Sequence, residues 1–206
     1  MLIAGAKGFA KEILEVLISD FPGSELNFFD DITARETLFC GKYLIIKSFD
    51  DVEALFRRDN EFILGVGSTE ARRFFYEKFT SLGGMPRTIV SRQAIVGQHD
   101  NAIGKGTVIM PLALIESSNR IGNGVLVHAG AFISHDTVIG DYSEISPYVK
   151  ILGNASIGKG CTIGTAAIIL PGISVGDHAI VGAGAVVVKD VSAGSKVAGV
   201  PAKALL

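Results

Sequence analysis

His135 and Asp136 place an imidazole beside a carboxylate in the sequence. An imidazole can accept the proton of an attacking amine or hydroxyl group near neutral pH, which is general-base catalysis. The negative charge of an adjacent carboxylate increases the basicity of the imidazole. The pair therefore predicts a general base, and the alternative interpretation is a surface histidine followed by a solvated aspartate.

A second group of residues is typical of a phosphate-binding site at the edge of a parallel sheet. Gly5-Ala-Lys-Gly8 follows an apolar strand and precedes a helical pattern, so its backbone amides could hold a phosphate at a helix N-terminus. Asp30-Asp31 and Gly67-Ser68 follow two further predicted strands. Because the carboxyl ends of parallel strands meet at one edge of a sheet, these residues predict a ligand site there. Turn glycines and helix-capping aspartates are the alternative.

The other histidines do not predict a metal centre. A catalytic zinc ion needs three convergent imidazoles. His99 precedes the regular repeat described below, His178 lies far along the chain from His135, and only His128 is close to it in sequence. We therefore expect no metal.

Residues 1 to about 90 alternate between strands and helices. Leu2-Ile-Ala4 forms an apolar strand, and apolar residues with helical spacing follow between positions 10 and 18. The other predicted elements are strands at 27–30, 43–46 and 62–66, helices at 52–56 and 70–82, and a last strand or linker at 87–90. The alternation predicts a small parallel, Rossmann-like sheet covered by helices, which we assign to residues 1–88 as an α/β domain.

From residue 103 the pattern changes to an apolar residue at every sixth position. The fifteen positions are Ile103, Ile109, Ile115, Ile121, Val127, Ile133, Ile139, Ile145, Ile151, Ile157, Ile163, Ile169, Val175, Val181 and Val187. A small or β-branched residue usually follows four positions later. An α-helix would spread such a repeat over all its faces, whereas a parallel β-helix uses it. Residues 89–206 are therefore predicted to form a parallel β-helix with these fifteen residues inside.

The composition argues against several classes of protein. The chain has 19 lysines and arginines against 21 aspartates and glutamates, a formal net charge of −2, which argues against nucleic-acid or membrane-surface binding. No apolar run reaches the roughly 18 residues that a membrane span needs. The first residues lack the order of a secretory signal, and two cysteines cannot form a disulfide framework. We expect a cytoplasmic protein with Cys40 and Cys161 reduced.

The six-residue repeat resembles that of the hexapeptide acyltransferases. Two segments near the end of the chain are also similar to that family, namely Val181-Gly-Ala-Gly-Ala-Val-Val-Val-Lys-Asp190 and Gly199-Val-Pro-Ala-Lys203. Gly5-Ala-Lys-Gly8, Phe29-Asp-Asp31 and Gly65-Val-Gly67 narrow the resemblance to the sugar acyltransferases that include sialic acid O-acetyltransferases and UDP-4-amino-sugar N-acetyltransferases of the bacillosamine type. The resemblance implies a left-handed β-helix with three repeats per coil, an exception to the usual right-handed crossover. It also implies homotrimers with active sites between subunits.

The resemblance assigns roles along one side of the β-helix. If three repeats form a coil, residues 18 apart stack at about 4.8 Å. The column so formed contains Ser117, His135, Gly153, Pro171 and Lys189. The family's chemistry makes His135 the base, Asp136 the residue that increases its basicity, and acetyl-CoA the acyl donor. The implied coenzyme-binding residues are Gly153, whose amide would contact the acetyl carbonyl, Thr165, Pro171, Gly182 and Lys189.

The resemblance also implies how the acceptor binds. The residues that would hold a nucleotide sugar are Lys7, Gly8, Phe9, Asp30, Asp31 and Gly67. His128 and Glu144 depart from the asparagine and histidine that are common in the family, and we expect them to line the acceptor pocket.

Three functions remain open from the sequence. The leading hypothesis is an acetyl-CoA-dependent N-acetyltransferase acting on a UDP- or dTDP-linked amino sugar for surface glycan biosynthesis. An O-acetyltransferase acting on sialic acid or another sugar is the second. A non-catalytic trimeric sugar-binding scaffold is the third, and the intact His135-Asp136 pair argues against it.

Overall fold

The computed structural model describes residues 1–32 and 37–205. It divides into two compact units, Met1–Ile89 and Val90–Leu206. Among the described residues, no helix combines the length and apolarity that crossing a bilayer requires.

Within its described residues, 1–32 and 37–89, the first unit is a six-stranded sheet with three helices. The helices are α1 Gly8–Asp20, α2 Phe49–Phe56 and α3 Thr69–Ser81, and the strands are β1 Leu2–Ala4, β2 Asn27–Phe29, β3 Leu38–Phe39, β4 Tyr43–Ile46, β5 Glu61–Leu64 and β6 Met85–Pro86. The strand order is β3-β4-β2-β1-β5-β6, and all neighbours are parallel except β3 and β4. The predicted α/β domain with a parallel sheet is confirmed.

Helix starts in this unit follow local capping chemistry. Ser48 and Ser68 precede α2 and α3, and each hydroxyl accepts a hydrogen bond from a backbone amide of the first turn. Lys7 precedes α1 and makes no side-chain capping bond. The first amides of α1 are therefore not capped by that side chain, which suits an anionic ligand.

One expectation for this unit was inaccurate, because β5 ends at Leu64 rather than at residue 66. Of the two interpretations of residues 87–90, a last strand or a linker, the structure favours the linker, since the last strand of the sheet is Met85–Pro86. The antiparallel β3–β4 pair was not predicted, because a two-residue strand is too short to show a periodic pattern.

From residue 89 onward the strands are short and evenly spaced. They are β7 Ile89–Val90, β8 Ile95–Val96, β9 Ala102–Ile103, β10 Val108–Ile109, β11 Leu114–Ile115, β12 Arg120–Ile121, β13 Leu126–Val127, β14 Phe132–Ile133, β15 Val138–Ile139, β16 Glu144–Ile145, β17 Lys150–Ile151, β18 Ser156–Ile157, β19 Thr162–Ile163, β20 Ile168–Ile169, β21 Ser174–Val175, β22 Ile180–Val181, β23 Val186–Val187, β24 Lys196–Ala198 and β25 Lys203–Ala204. They form three sheets with the orders β25-β24-β22-β19-β16-β13-β10-β7, β23-β20-β17-β14-β11-β8 and β21-β18-β15-β12-β9.

Each strand pairs with the strand one coil later. Phe132 pairs with Lys150, and Lys150 pairs with Ile168, so one coil contains three strands and 18 residues. The β-helix predicted from the period of six is therefore confirmed.

The period-six residues form the interior of the coil. Fourteen of them are at most 4% exposed, and Ile103 is only partly buried. β9, which contains Ile103, is the edge strand of its sheet. Stacking of β-branched side chains suits this interior, because their χ1 angles are restricted and they pack well on a pleated surface.

The regular coil ends after β23. The Gly176 amide donates to the Val191 carbonyl, 15 residues later, whereas the equivalent bond one coil earlier, from the Gly158 amide to the Val175 carbonyl, joins residues 17 apart. The turn after β23 is thus two residues shorter than the turn one coil earlier. The antiparallel β24–β25 pair follows it.

Candidate active site

His135 and Asp136 lie in the turn between β14 and β15. His135 Nδ1 and Asp136 Oδ2 are 2.8 Å apart, and both side chains are about half exposed, at 52% and 53%. Asp136 has a φ of +56°, and its amide donates to the Ser117 carbonyl. Aspartate tolerates this left-handed conformation better than most residues do. The turn therefore directs a carboxylate at the imidazole and leaves both groups accessible.

The turns stack in register from coil to coil. Ser118, Asp136, Asn154 and Gly172 all have φ angles between +56° and +72°. The amide of Asn154 donates to the His135 carbonyl, and that of Gly172 to the Gly153 carbonyl. The predicted column from Ser117 through His135 and Gly153 to Pro171 is therefore present.

Gly153 lies against the imidazole of His135. A Cβ atom at position 153 would lie 2.6 Å from His135 Cε1 and 2.8 Å from Nε2, which is closer than real contacts allow. Gly153 is buried, and within the described residues its amide donates to no protein acceptor. A buried donor without a partner is uncommon and is suited to a ligand oxygen.

Glu116 also contacts this turn, and sequence reasoning missed it. Glu116 Oε2 accepts a hydrogen bond of 2.8 Å from Ser134 Oγ and one of 3.2 Å from the His135 amide. The signal was available, because Ser134 lies 18 residues after Glu116 and one coil contains 18 residues.

His128 and Glu144 form a second polar cluster on the β-helix. His128 Nε2 is 3.3 Å from Glu144 Oε1, and the two side chains are 13% and 16% exposed. Ser146 Oγ donates to the same Glu144 oxygen at 2.7 Å. The structure thus brings together the two residues expected to line the acceptor pocket.

The remaining predicted coenzyme-binding residues lie in three turns. Pro171 is exposed in the turn after β20, within the His135 column. Lys189 is exposed in the turn after β23, which is two residues shorter than the turn that contains Pro171. Thr165 and Gly182 follow β19 and β22 at a different corner, where the Gly184 amide donates to the Thr165 carbonyl.

The first unit contains a cavity of about 300 Å³ at the carboxyl ends of its central strands. Its lining residues are Gly5, Ala6, Lys7, Phe9, Phe29, Asp30, Asp31, Ile32, Gly65, Val66, Gly67, Ser68, Ala71 and Phe75. Five of the six predicted substrate-binding residues of this unit are among them. Gly8, the sixth, is exposed at the first position of α1 and does not line the cavity.

Glycines and a buried carboxylate shape this cavity. A Cβ at Gly65 would lie 2.5 Å from Ile3 Cγ2, so only glycine lets β5 and β1 end so close together. Asp30 is 6% exposed, and its Oδ1 accepts from the Ile32 amide at 2.9 Å. A Cβ at Gly67 would meet no atom within 4 Å, so this position faces open space.

A left-handed β-helix of six-residue repeats that holds an imidazole–carboxylate pair against a glycine defines the class of hexapeptide-repeat acyltransferases. Models of the bacterial transferase hexapeptide match residues 120–153 and 136–169, and the hexapeptide repeat of succinyl-transferase matches residues 154–189. The PglD N-terminal domain matches residues 1–79. No curated protein sequence matches the chain significantly.

Solved structures extend the similarity to the whole chain. The acetyltransferase domain of PglB from Neisseria gonorrhoeae, in complex with acetyl coenzyme A, is 30% identical over 99% of this chain and 98% of its own, with a TM-score of 0.92. PerB from Caulobacter crescentus, in complex with CoA and GDP-perosamine, is 25% identical over 100% and 96%, with a TM-score of 0.91. WeeI from Acinetobacter baumannii is 29% identical over 99% and 98%, with a TM-score of 0.91. The chain belongs to the hexapeptide-repeat sugar acyltransferase family.

Proposed function

We propose that the protein transfers the acetyl group of acetyl-CoA to the amine of a nucleotide-linked amino sugar, in the cytoplasm and for surface glycan biosynthesis. The observation that carries this proposal is the His135 imidazole, hydrogen-bonded to Asp136 and lying against Gly153. The similarity to an acetyltransferase domain bound to acetyl coenzyme A supports the choice of donor. The similarity to a protein bound to GDP-perosamine supports a nucleotide sugar as acceptor.

In this mechanism His135 removes the proton from the attacking amine. Asp136 accepts the hydrogen bond of Nδ1–H, so the lone pair of the imidazole is on Nε2. The Asp136 carboxylate then stabilises the imidazolium that forms after proton transfer. Bound acetyl-CoA would supply the activated acyl thioester, and the Gly153 amide is the donor for the acyl oxygen as negative charge develops on it. As the carbon–nitrogen bond forms, the carbon–sulfur bond breaks, and the imidazolium returns its proton to the departing CoA thiolate.

The two parts of the chain take different substrates. We assign residues 1–88 to the nucleotide part of the sugar, through Lys7, Gly8, Phe9 and the cavity residues Asp30, Asp31 and Gly67. Residues 89–206 carry out acyl transfer. Within them we assign the coenzyme to Gly153, Thr165, Pro171, Gly182 and Lys189, and the acceptor end of the sugar to His128 and Glu144. The enzyme is proposed to act as a homotrimer.

The test is an activity assay with a panel of acceptors. The protein is incubated with acetyl-CoA and UDP-, dTDP- and GDP-linked amino sugars, with free sialic acid as a non-nucleotide acceptor, and products are identified by mass. We expect the nucleotide amino sugars to gain one acetyl group on nitrogen. Acetylation of sialic acid alone would replace this function by sugar O-acetylation. Turnover of no acceptor would favour the non-catalytic scaffold.

A further inference from the structure

Glu116 contacts the turn that holds His135 from the coil below. It follows β11, and β11 pairs with β14, the strand that leads into His135. One oxygen, Oε2, accepts both the Ser134 hydroxyl at 2.8 Å and the His135 amide at 3.2 Å. Hydrogen bonds to an ionised acceptor are shorter and stronger than those between neutral groups.

The two bonds act on the part of His135 that Asp136 does not reach. Asp136 binds the imidazole through Nδ1, while Glu116 binds the main chain of the same residue. The ring then has one contact that sets its orientation and one that fixes the backbone from which it extends. Near-attack geometry is sensitive to small displacements of a catalytic group, so both restraints matter for the rate.

We propose that Glu116 is a positioning residue for His135: it fixes the turn through hydrogen bonds with the Ser134 hydroxyl and the His135 amide. This inference rests on the proposed role of His135 as the base. It adds a carboxylate from a neighbouring coil to the His135-Asp136 pair.

The test compares Glu116→Ala, Glu116→Gln and Ser134→Ala in steady-state kinetics. Glu116→Ala should lower kcat about tenfold to a hundredfold, because the base loses a geometric restraint. The KM for acetyl-CoA should stay within about twofold, since the lost contact acts on the base and not on coenzyme binding. Glu116→Gln keeps an oxygen that accepts both bonds and should recover most of kcat. Ser134→Ala removes one of the two bonds that Glu116 accepts, so its kcat should fall less than that of Glu116→Ala.

Asp177→Ala is the matched control. Asp177 Oδ1 accepts the Lys159 amide at 2.8 Å, so it is also a carboxylate that joins neighbouring coils, in a turn far along the chain from His135. A purely structural role for Glu116 predicts that both alanine variants lose thermal stability alike and that neither loses kcat at an unchanged KM for acetyl-CoA.

Two results would overturn the inference. The first is a Glu116→Ala enzyme with wild-type kcat. The second, which decides the matter where that variant does not fold, is a Ser134→Ala enzyme with wild-type kcat. His135→Ala separates this inference from the proposed function. An inactive His135→Ala with a fully active Glu116→Ala rejects only the role of Glu116, whereas a fully active His135→Ala rejects the base itself.

Discussion

The imidazole of His135 lies so close to the Cα atom of Gly153 that a methyl group at position 153 would be 2.6 Å from the ring. The two residues are 18 apart, and the coil repeat stacks one on the other. A base that extends along the coil toward the next turn needs a residue without a side chain there. The position of the His135 imidazole therefore requires glycine at position 153.

Replacing Gly153 by alanine should displace the imidazole. Gly153 does not have a left-handed φ, so the conflict arises from the ring and not from the backbone. We expect kcat to fall about tenfold to a hundredfold through misplacement of the base. Overpacking of this kind typically lowers the free energy of unfolding by about 1–3 kcal/mol. In a His135→Ala background the same change should cost almost no stability, because the clashing ring has gone. Equal losses in both backgrounds, measured by thermal unfolding, would contradict this.

Removing the base should affect turnover much more than binding. His135→Ala should reduce kcat by about a hundredfold to ten-thousandfold, the usual contribution of a general base. Calorimetry should still detect acetyl-CoA binding. Near-full turnover would make His128 the candidate base instead.

Asp136→Asn should lower kcat less than His135→Ala does. Asparagine tolerates the left-handed φ of position 136, so the turn should persist. The variant loses the carboxylate that would stabilise the imidazolium formed on proton transfer, so kcat should fall while the KM for acetyl-CoA stays nearly unchanged. An Asp136→Asn enzyme with wild-type kcat would show that the carboxylate does not assist the base.

The fold could be predicted from the sequence where one position repeats in every coil. An apolar residue that faces the interior recurs at every sixth position, so the sequence repeats the same packing requirement fifteen times, from Ile103 to Val187. Short elements that occur once lack this redundancy. The β3–β4 pair lies outside the apolar repeat, and the shortened turn at Lys189 follows the last position of the repeat, Val187. The spacing of the repeat therefore predicts neither of them.

The candidate site could be predicted in part for a similar reason. His135, Asp136 and Gly153 are recognised by residue type and by stacking at 18 residues. Glu116 was missed because a carboxylate one residue off the His135 column is an ordinary surface residue until hydrogen bonds join it to the turn. Gly8 was assigned to the cavity edge by its place in the motif, yet the cavity is lined by the residues on either side of it.

The two cysteines should differ sharply in reactivity. Cys40 is exposed, whereas Cys161 is buried in the coil and burial raises the pKa of its thiol. A thiol reagent should modify one cysteine in the native protein and both after denaturation, since the thiolate is the reactive form. Two fast-reacting thiols in the native state would contradict the packing of Cys161.

Cys161 should also make stability depend on alkaline pH. Its thiol ionises at about pH 8.5 in the unfolded chain and at higher pH in the folded one, so the free energy of unfolding falls as the pH rises through this range. Cys161→Ser is the matched variant. The Cys161 thiol lies 3.1 Å from the Gly176 carbonyl, as the Ser143 hydroxyl lies 2.7 Å from that of Gly158. Urea unfolding at pH 7 and above pH 9 measures the free energy of unfolding. Between these pH values it should fall less in the serine variant than in the wild type.

Reversing the charge at Lys189 should weaken the coenzyme interaction. A contact with an outlying phosphate is made equally in the ground state and the transition state, so Lys189→Glu should raise the KM for acetyl-CoA more than it lowers kcat. Lys159→Glu is a control at an exposed lysine in another turn. If Lys189→Glu and Lys159→Glu have the same KM for acetyl-CoA, the phosphates of the coenzyme do not contact the turn after β23.

Filling the cavity of the first unit should abolish nucleotide binding without unfolding the protein. Gly67 lines the cavity, and a Cβ there would meet no atom within 4 Å, so a leucine side chain can extend into the space that we assign to the ligand. Glu15 is exposed on α1 and does not line the cavity, which makes Glu15→Leu the matched control. Titration calorimetry with UDP, dTDP and GDP should detect binding of at least one nucleotide to the wild type, loss of that binding in Gly67→Leu and little change in Glu15→Leu, with similar unfolding temperatures. Equal binding by both variants would place the nucleotide outside this cavity, because a ligand inside it must overlap the leucine side chain.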